Sequence, residues 1–222
     1  MTSPDSSPVL PNARSRLVLA ALRLFAEKGY EAATTREISE AAGANISAIR
    51  YYFGDKAGLY RAAFTESLGD APCYANRALY ASLPLPEALR LLFRDFLEPF
   101  KRGEQVHLIM KLRFREMIEP TGVWHDEIDA EIKPQHEALV GLLQAYLGLE
   151  NIDADAHRLA FAIIGMAVHF YVGQDVVSAV LPELLDGPAA IDLLSDRLAG
   201  YALSMIEGEA RRRAGEPSHG AG

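Results

Sequence analysis

The sequence predicts an all-α protein of two helical domains, and three observations carry that prediction. Apolar residues recur at helical spacing along almost the whole chain, as in Leu17, Ala20, Ala21, Leu24 and Phe25. No stretch alternates apolar and polar residues over the length of a strand, and no internal repeat appears. Half of the 222 residues are apolar, enough for a substantial core without a covalent or metal staple.

Met1 to Pro11, rich in Pro and Ser and free of aromatics, reads as a disordered arm. Asn12 can cap the first helix, which Gly29 ends. Arg14 and Arg16 at its exposed start are either phosphate contacts or solvated surface charges. Thr34 with Glu37 three residues on has the spacing of a capping box, so a second helix is expected from Arg36 to Ala42, stopping at Gly43. Asn45 can cap a third, Ile46 to Phe53. At about 100° per residue, Ile46, Ile49 and Phe53 share the face that meets Ile38 and Ala42, and Ser47, Ala48 and Tyr51 lie opposite. Two short helices joined by a tight glycine-containing turn form the helix-turn-helix pattern, whose second helix enters the major groove of DNA. A reading domain is therefore expected over residues 12–58. Asp55 caps a fourth helix, with Leu59, Ala63, Phe64 and Leu68, that fades near residue 70 and joins reader to body. Rotating that helix would move both reading helices as one piece.

The body, residues 71–210, also reads as helix. Pro86 opens a strongly amphipathic segment with Leu89, Leu92, Phe93, Phe96, Leu97 and Phe100 on a stripe. Gln105 to Met117 follows and ends before Pro120; Thr121 then caps Val123 to about Lys133. Pro134 either kinks that helix or begins a new one running to Leu147. Two long helices close the body, about Asp155 to Leu181 and Ala189 to Ala210, before a flexible tail at 211–222. Arg211, Arg212 and Arg213 suit a helix C-terminus, either as a solvated end or as a DNA-contacting tail. The helix from Asp155 is apolar nearly all round, with small residues at Ala160, Ala162, Gly165 and Ala167. Such a helix must be covered on every side, which points to a second subunit; the alternative is a fully buried core helix in a monomer.

The formal net charge of −8 lies wholly after residue 70, because residues 1–70 hold eight Lys/Arg and eight Asp/Glu. A neutral reader on an acidic body is compatible with DNA binding without arguing for it. The single cysteine, Cys73, excludes an internal disulfide and a multi-cysteine zinc site. The N-terminal stretch lacks the apolar core of a signal peptide. The longest apolar run, Leu159 to Gln174, contains His169 and falls short of the roughly 20 residues of a membrane span. A cytoplasmic protein without a membrane partner is expected. HExxH, nucleophile-elbow, P-loop and GxGxxG patterns are absent, and His107, His125, His136, His157 and His169 are scattered, so no catalysis, metal or cofactor is expected.

From Arg16 to Phe64 the chain, containing LFAEKGYEAATTREISEAAGANISAIRYYFGDKAGLYRAAF, resembles the DNA-binding domain of TetR-family transcriptional regulators, and NISAIRYYFGDKAGLY resembles the CecR-type branch. FREMIEPTGVW, Phe114 to Trp124, and the stretch on to about Leu143 resemble the CecR-type C-terminal domain. The resemblance implies a homodimer paired through its last two helices, with Ile164, Gly165, Val168, Tyr171, Gly200 and Leu203 at the interface, on a palindromic operator in double-stranded DNA. It places DNA contacts on Thr35, Arg36, Asn45, Ser47, Ala48, Tyr51, Tyr52 and Lys56. Arg50 departs from the family, many of whose members carry an aromatic there; its side chain can reach a phosphate or guanine, or pair with Glu37 or Glu40.

Two readings of the Phe114–Trp124 segment stay open. In one, Arg115 and Glu116 simply tie a structural corner. In the other, Phe96, Phe100, Met110, Phe114, Met117 and Trp124 line a cavity for a small apolar or aromatic effector, with Arg113 or His169 as a polar contact. The expected function is a repressor released from DNA by that effector. The alternative is a helical protein that binds an effector or a protein partner without specific DNA binding.

Overall fold

The computed structural model describes residues 12–66, 77–80, 82–122 and 132–215, and their regular structure is helical throughout. The expected arm, the Val123 helix, Leu68, Cys73, Trp124 and His125 lie outside the described residues. The chain forms two compact units, and residues 111–121 belong with the N-terminal one. The sequence had assigned that segment to the body. The difference arises because Arg115 and Glu116 find their partners on the N-terminal helices, a long way off in sequence.

In the first unit, α1 (Ala13–Ala32) starts where the Asn12 side chain accepts from the Ser15 N–H at 2.8 Å. It breaks at Gly29, whose φ of 84° is open to glycine. Its buried face is Leu17, Val18, Ala21, Leu22, Phe25 and Ala26. Ala20 and Leu24, expected on that face, are only half-buried, because α2, α3 and α4 all pack on α1 and draw the face round toward Val18 and Leu22. α2 (Thr35–Ala41) carries the expected capping box: Glu37 N–H donates to Thr34 Oγ1 at 3.2 Å, and Thr34 N–H donates to Glu37 Oε2 at 3.0 Å. α3 is Ser47–Phe53 and α4 is Lys56–Thr65, the latter capped by Asp55, which accepts from Gly58 N–H at 2.8 Å. Leu17, Ala21, Phe25, Ile38, Leu59 and Ala63 have no exposed surface and form the core that holds α2 and α3 in place. Each fully buried Leu, Ile or Phe there contributes roughly 1.5–3 kcal/mol.

The second unit contains α5 (Arg77–Tyr80), α6 (Leu85–Leu97) and the first turns of α7 (Glu104–Ile118), then α8 (Lys133–Leu147), α9 (Ala154–Val172), α10 (Gln174–Val180) and α11 (Gly187–Arg213). α6 lays its predicted apolar stripe, extended by Leu85 and Ala88, along α11, and α8 packs on α9. Pro134 lies in the first turn of α8, just after Ile132, whose backbone is also helical, and the residues before Ile132 lie outside the described ones; Gly148, at φ 64°, ends α8. The single helix expected from Asp155 to Leu181 is instead two, meeting at Gly173 with a 75° bend. A β-carbon at Gly173 would stand 2.9 Å from the His169 carbonyl oxygen, so the turn needs glycine. No single described helix is long and apolar enough to cross a membrane. At the end of α11, Arg213 forms two bonds to Asp153, at 2.7 and 2.9 Å, and Arg212 pairs with Glu209 and Asp155. These two arginines therefore anchor α11 to the start of α9 instead of forming a free tail.

Candidate DNA-reading surface

The geometry of α2 and α3 follows from a few local bonds. Ile38, Ala42 and Ile49 are buried and join the two helices. The chain reverses through Gly43, at φ 57°, and the Ala44 N–H returns to Ser39 O at 2.9 Å. Arg16 donates from Nε to Ala42 O at 3.0 Å, so it seals the end of α2 rather than standing free for phosphate. Arg14 likewise turns inward, paired to Glu66 at 2.7 Å with its guanidinium 5.2 Å from the centre of the Phe53 ring. Asn45 Oδ1 accepts from both the N–H and the hydroxyl of Ser47, at 2.9 and 2.8 Å. This bond starts α3 at Ser47 and leaves Ile46 as a cap residue, 52% exposed instead of packed against α2.

The outer side of α3 carries Ser47, Arg50, Tyr51 and Tyr52, all exposed, with Ala48 half-buried beside them. Tyr51 is 82% exposed, and its ring meets that of Tyr52 edge-on at 4.9 Å. Arg50 pairs with neither Glu37 nor Glu40, which are taken by Lys28 and Arg36, each at 2.9 Å. Among the described residues Arg50 makes no ion pair, so it is a charged donor fork on an exposed helix face. The Lys28 ammonium, followed by the backbone and hydroxyl of Thr34, holds the Glu37 carboxyl down at about 2. Arg36 is exposed at the start of α2, next to half-buried Thr35, whose carbonyl accepts from the Ser39 hydroxyl. Lys56 is folded back, its ammonium 3.3 Å from Glu31 O and 4.6 Å from the centre of the Tyr30 ring. Backbone N–H groups, hydroxyls and cations of this kind fix phosphates, and small or polar side chains can approach base edges.

Of the eight residues expected to line an effector cavity, Met110, Arg113, Phe114 and Met117 follow one another on α7. Phe96, Phe100, Met110 and His169 belong to the second unit, and Arg113, Phe114 and Met117 to the first; Trp124 is outside the described residues. Phe100 stacks on Tyr171 at 4.2 Å, Phe96 meets the same ring edge-on at 5.8 Å, and Tyr171 donates to Phe96 O at 2.7 Å. The Arg113 guanidinium lies 5.6 Å from the Phe64 ring centre, while Met117 and His169 are exposed. A cavity of about 520 Å³ opens in the first unit, where Lys28, Tyr30, Tyr60, Arg115 and Thr121 face one another. None of the eight residues lines it.

Of the residues expected at a dimer interface, Gly165 and Gly200 are exposed, with no neighbouring atom within 4 Å of where a β-carbon would stand. Ile164, Val168 and Leu203 are half-buried, and Tyr171 is turned into its own chain as described. Phe161 on α9 and Leu193 and Tyr201 on α11 are 65, 58 and 56% exposed, apolar surface beyond the residues that the resemblance placed at the interface.

Residues 17–63 match the family model described as bacterial regulatory proteins, tetR family. Residues 85–209 match that of the HTH-type transcriptional dual regulator CecR, C-terminal domain. The chain is 46% identical to the HTH-type transcriptional repressor AcnR of Corynebacterium glutamicum, over 91% of this chain and 94% of that one. It is 31% identical to the HTH-type transcriptional dual regulator CecR of Shigella flexneri, over 80% of this chain and 83% of that one. Among solved structures, a TetR-family transcriptional regulator from Bordetella parapertussis superposes with a TM-score of 0.65 at 19% identity, covering 87% of this chain and 95% of that one, a likeness of fold.

Proposed function

This chain belongs to the TetR family of DNA-binding transcriptional regulators, with a C-terminal domain of the CecR type, and from that premise we propose that it is a homodimeric repressor which a small apolar or aromatic effector releases from a palindromic operator. It regulates transcription and is not an enzyme. The observation that carries the proposal is the outer side of α3, where Arg50 and Tyr51 stand exposed beside Ser47 on a helix whose other side is fixed by Ile49. In the proposed complex α3 lies in one major groove, Arg36 and Lys56 contact phosphates, and Ala48 approaches a thymine methyl. Lys56 must leave the Tyr30 ring to do so.

Pairing of two subunits through α9 and α11 is supported by exposed Phe161, Leu193 and Tyr201 and by the open space over Gly165 and Gly200, where a second helix can approach closely. A two-fold dimer places its half-sites one helical turn, about 34–36 Å, or a multiple of it apart. A ligand releases DNA when it binds the non-matching arrangement of the dimer more tightly than the matching one. A regulator acting on chromosomal operators works in the cytoplasm.

The test is selection of bound sites from random duplex DNA by the purified protein. A two-fold symmetric motif, with affinity falling steeply as salt rises, is the expected result. Salt-sensitive binding without sequence preference would overturn the proposal and favour a helical protein that answers to an effector or protein partner alone.

A further inference from the structure

Glu116 on α7 is 1% exposed, the most deeply buried charged side chain among the described residues, and it is not one of the residues proposed to contact DNA. Its Oε2 accepts from the Tyr60 hydroxyl of α4 at 2.5 Å. Its Oε1 accepts from the N–H of Thr121 at 2.7 Å and from the Thr121 hydroxyl at 2.9 Å. A buried carboxyl is tolerated only where donors meet it, so these three bonds define where the side chain, and with it Tyr60, can sit. Tyr60 in turn packs edge-on against Phe25 and Tyr30 of α1, at 4.9 and 5.0 Å. The neighbouring Arg115 reaches the end of α1, donating to Glu27 O and Lys28 O at 3.4 and 3.3 Å. Two successive residues of α7 thus hold the two helices, α1 and α4, against which α2 and α3 are packed.

We propose that Glu116 is a positioning residue for DNA reading: through Tyr60 it fixes the direction of α4, and so of α2 and α3, relative to α7. In a dimer this presents the two copies of α3 at one separation. The inference rests on the regulator reading above. A purely structural Glu116 and a positioning Glu116 differ in consequence. Loss of the first lowers stability and weakens every site alike. Loss of the second leaves each half-site legible and relaxes the distance required between half-sites.

The experiment uses the full chain and the operator recovered by selection, rebuilt as a series of duplexes whose central spacer is one or two base pairs longer or shorter. Wild type, Glu116→Gln and Tyr60→Phe are compared on the series, each with its salt dependence and melting temperature. Wild type is expected to prefer its own spacing by about tenfold or more, and both variants to reduce that preference to within about threefold, with the half-site sequence and salt slope unchanged. Tyr60→Phe keeps the ring against Phe25 and Tyr30 and loses only the hydroxyl, so it carries the test if Glu116→Gln does not fold. Variants that retain the spacing preference, or lose affinity equally on every spacer, overturn the proposal and leave the regulator reading intact. Failure of the wild type to select any operator sinks the regulator reading, and this inference with it.

Discussion

The guanidinium of Arg115 occupies the space that a β-carbon on Gly29 would need. Its Nε and Nη2 stand 2.7 Å from that position and its Cζ 2.9 Å, at a residue whose φ is already +84°. Glycine is therefore required twice, once by the backbone and once by the side chain that lies over it. The same contact explains why α1 breaks here: the turn at Gly29 brings Glu27 O and Lys28 O within reach of Arg115.

Gly29→Ala is expected to destabilise by roughly 2–4 kcal/mol, the sum of left-handed strain and a displaced Arg115. Adding Arg115→Ala to that variant removes the collision but not the strain. The double variant should therefore be less destabilised than the two single losses added together. Melting curves for the four proteins of the cycle measure this. Strict additivity would mean that the two residues do not constrain each other.

The helix starts were legible because the chemistry that makes them is local. Asn12, Thr34 with Glu37, Asp55 and Pro86 each act within a turn, so their roles follow from spacing. Glu116 ties the corner before Thr121, as one of the two readings had it, accepting from the Thr121 N–H and hydroxyl. What spacing hides are partners far away in sequence: Arg14 with Glu66, 52 residues on, Glu116 with Tyr60, 56 residues back, and Arg213 with Asp153, 60 residues back. A charge judged by its own helix has no visible partner, and reads as solvent-facing or functional. The break at Gly173 was hidden for a different reason. Apolar residues continue at helical spacing on both sides, and a lone glycine inside such a pattern is usually tolerated. Ile46 was misassigned because the Asn45–Ser47 bond moves the start of α3 one residue on, turning a packing position into a cap.

Arg50 is the cation on α3 left without an acidic partner among the described residues. If its fork reads a guanine, Arg50→Ala should cost about 1–3 kcal/mol on the selected operator and relax preference at one position of each half-site. A phosphate contact would instead weaken all sequences alike and reduce the salt slope by about one unit. Competition binding across single-base operator variants, repeated at two salt concentrations, separates these outcomes. Melting temperature should hardly move, since the side chain is exposed and holds nothing in the fold.

The Glu37 carboxyl, lowered from 4.5 to about 2 by Lys28 and the Thr34 cap, makes a second, pH-dependent statement about the reader. A carboxyl with a depressed folded value contributes fully above its unfolded value and loses that contribution as pH falls through the folded one. Glu37→Gln preserves the shape needed by the capping box and removes the charge. Wild type should melt above this variant at pH 7, with the gap narrowing once pH drops below about 4.5. A gap that stays constant from pH 7 to pH 3 would show that the ion pair with Lys28 adds nothing.

On the body, His136 Nε2 and His157 Nδ1 lie 2.8 Å apart, with the His136 ring stacked on Phe161 at 4.3 Å. One of the two nitrogens must donate and the other accept, so the pair cannot hold with both rings protonated. Burial first, and then the nearness of His157, lower the His136 value below its ordinary 6.5, against an opposing pull from Glu137. The sign follows from the proton count. Between the folded and unfolded values the unfolded chain binds more protons, so the contribution is full above about pH 6.5 and is lost as pH falls below it. Asp153 and Asp155 near the start of α9 are themselves held low by Arg213 and Arg158, so they stay charged through this window and do not supply the effect. His136→Gln should therefore flatten the melting temperature between pH 7.5 and pH 5.5, where wild type declines. The His136 imidazole resonances followed by NMR over the same range should show that ring titrating below 6.5. Titration of His136 at the ordinary value would mean that the hydrogen bond is absent in solution.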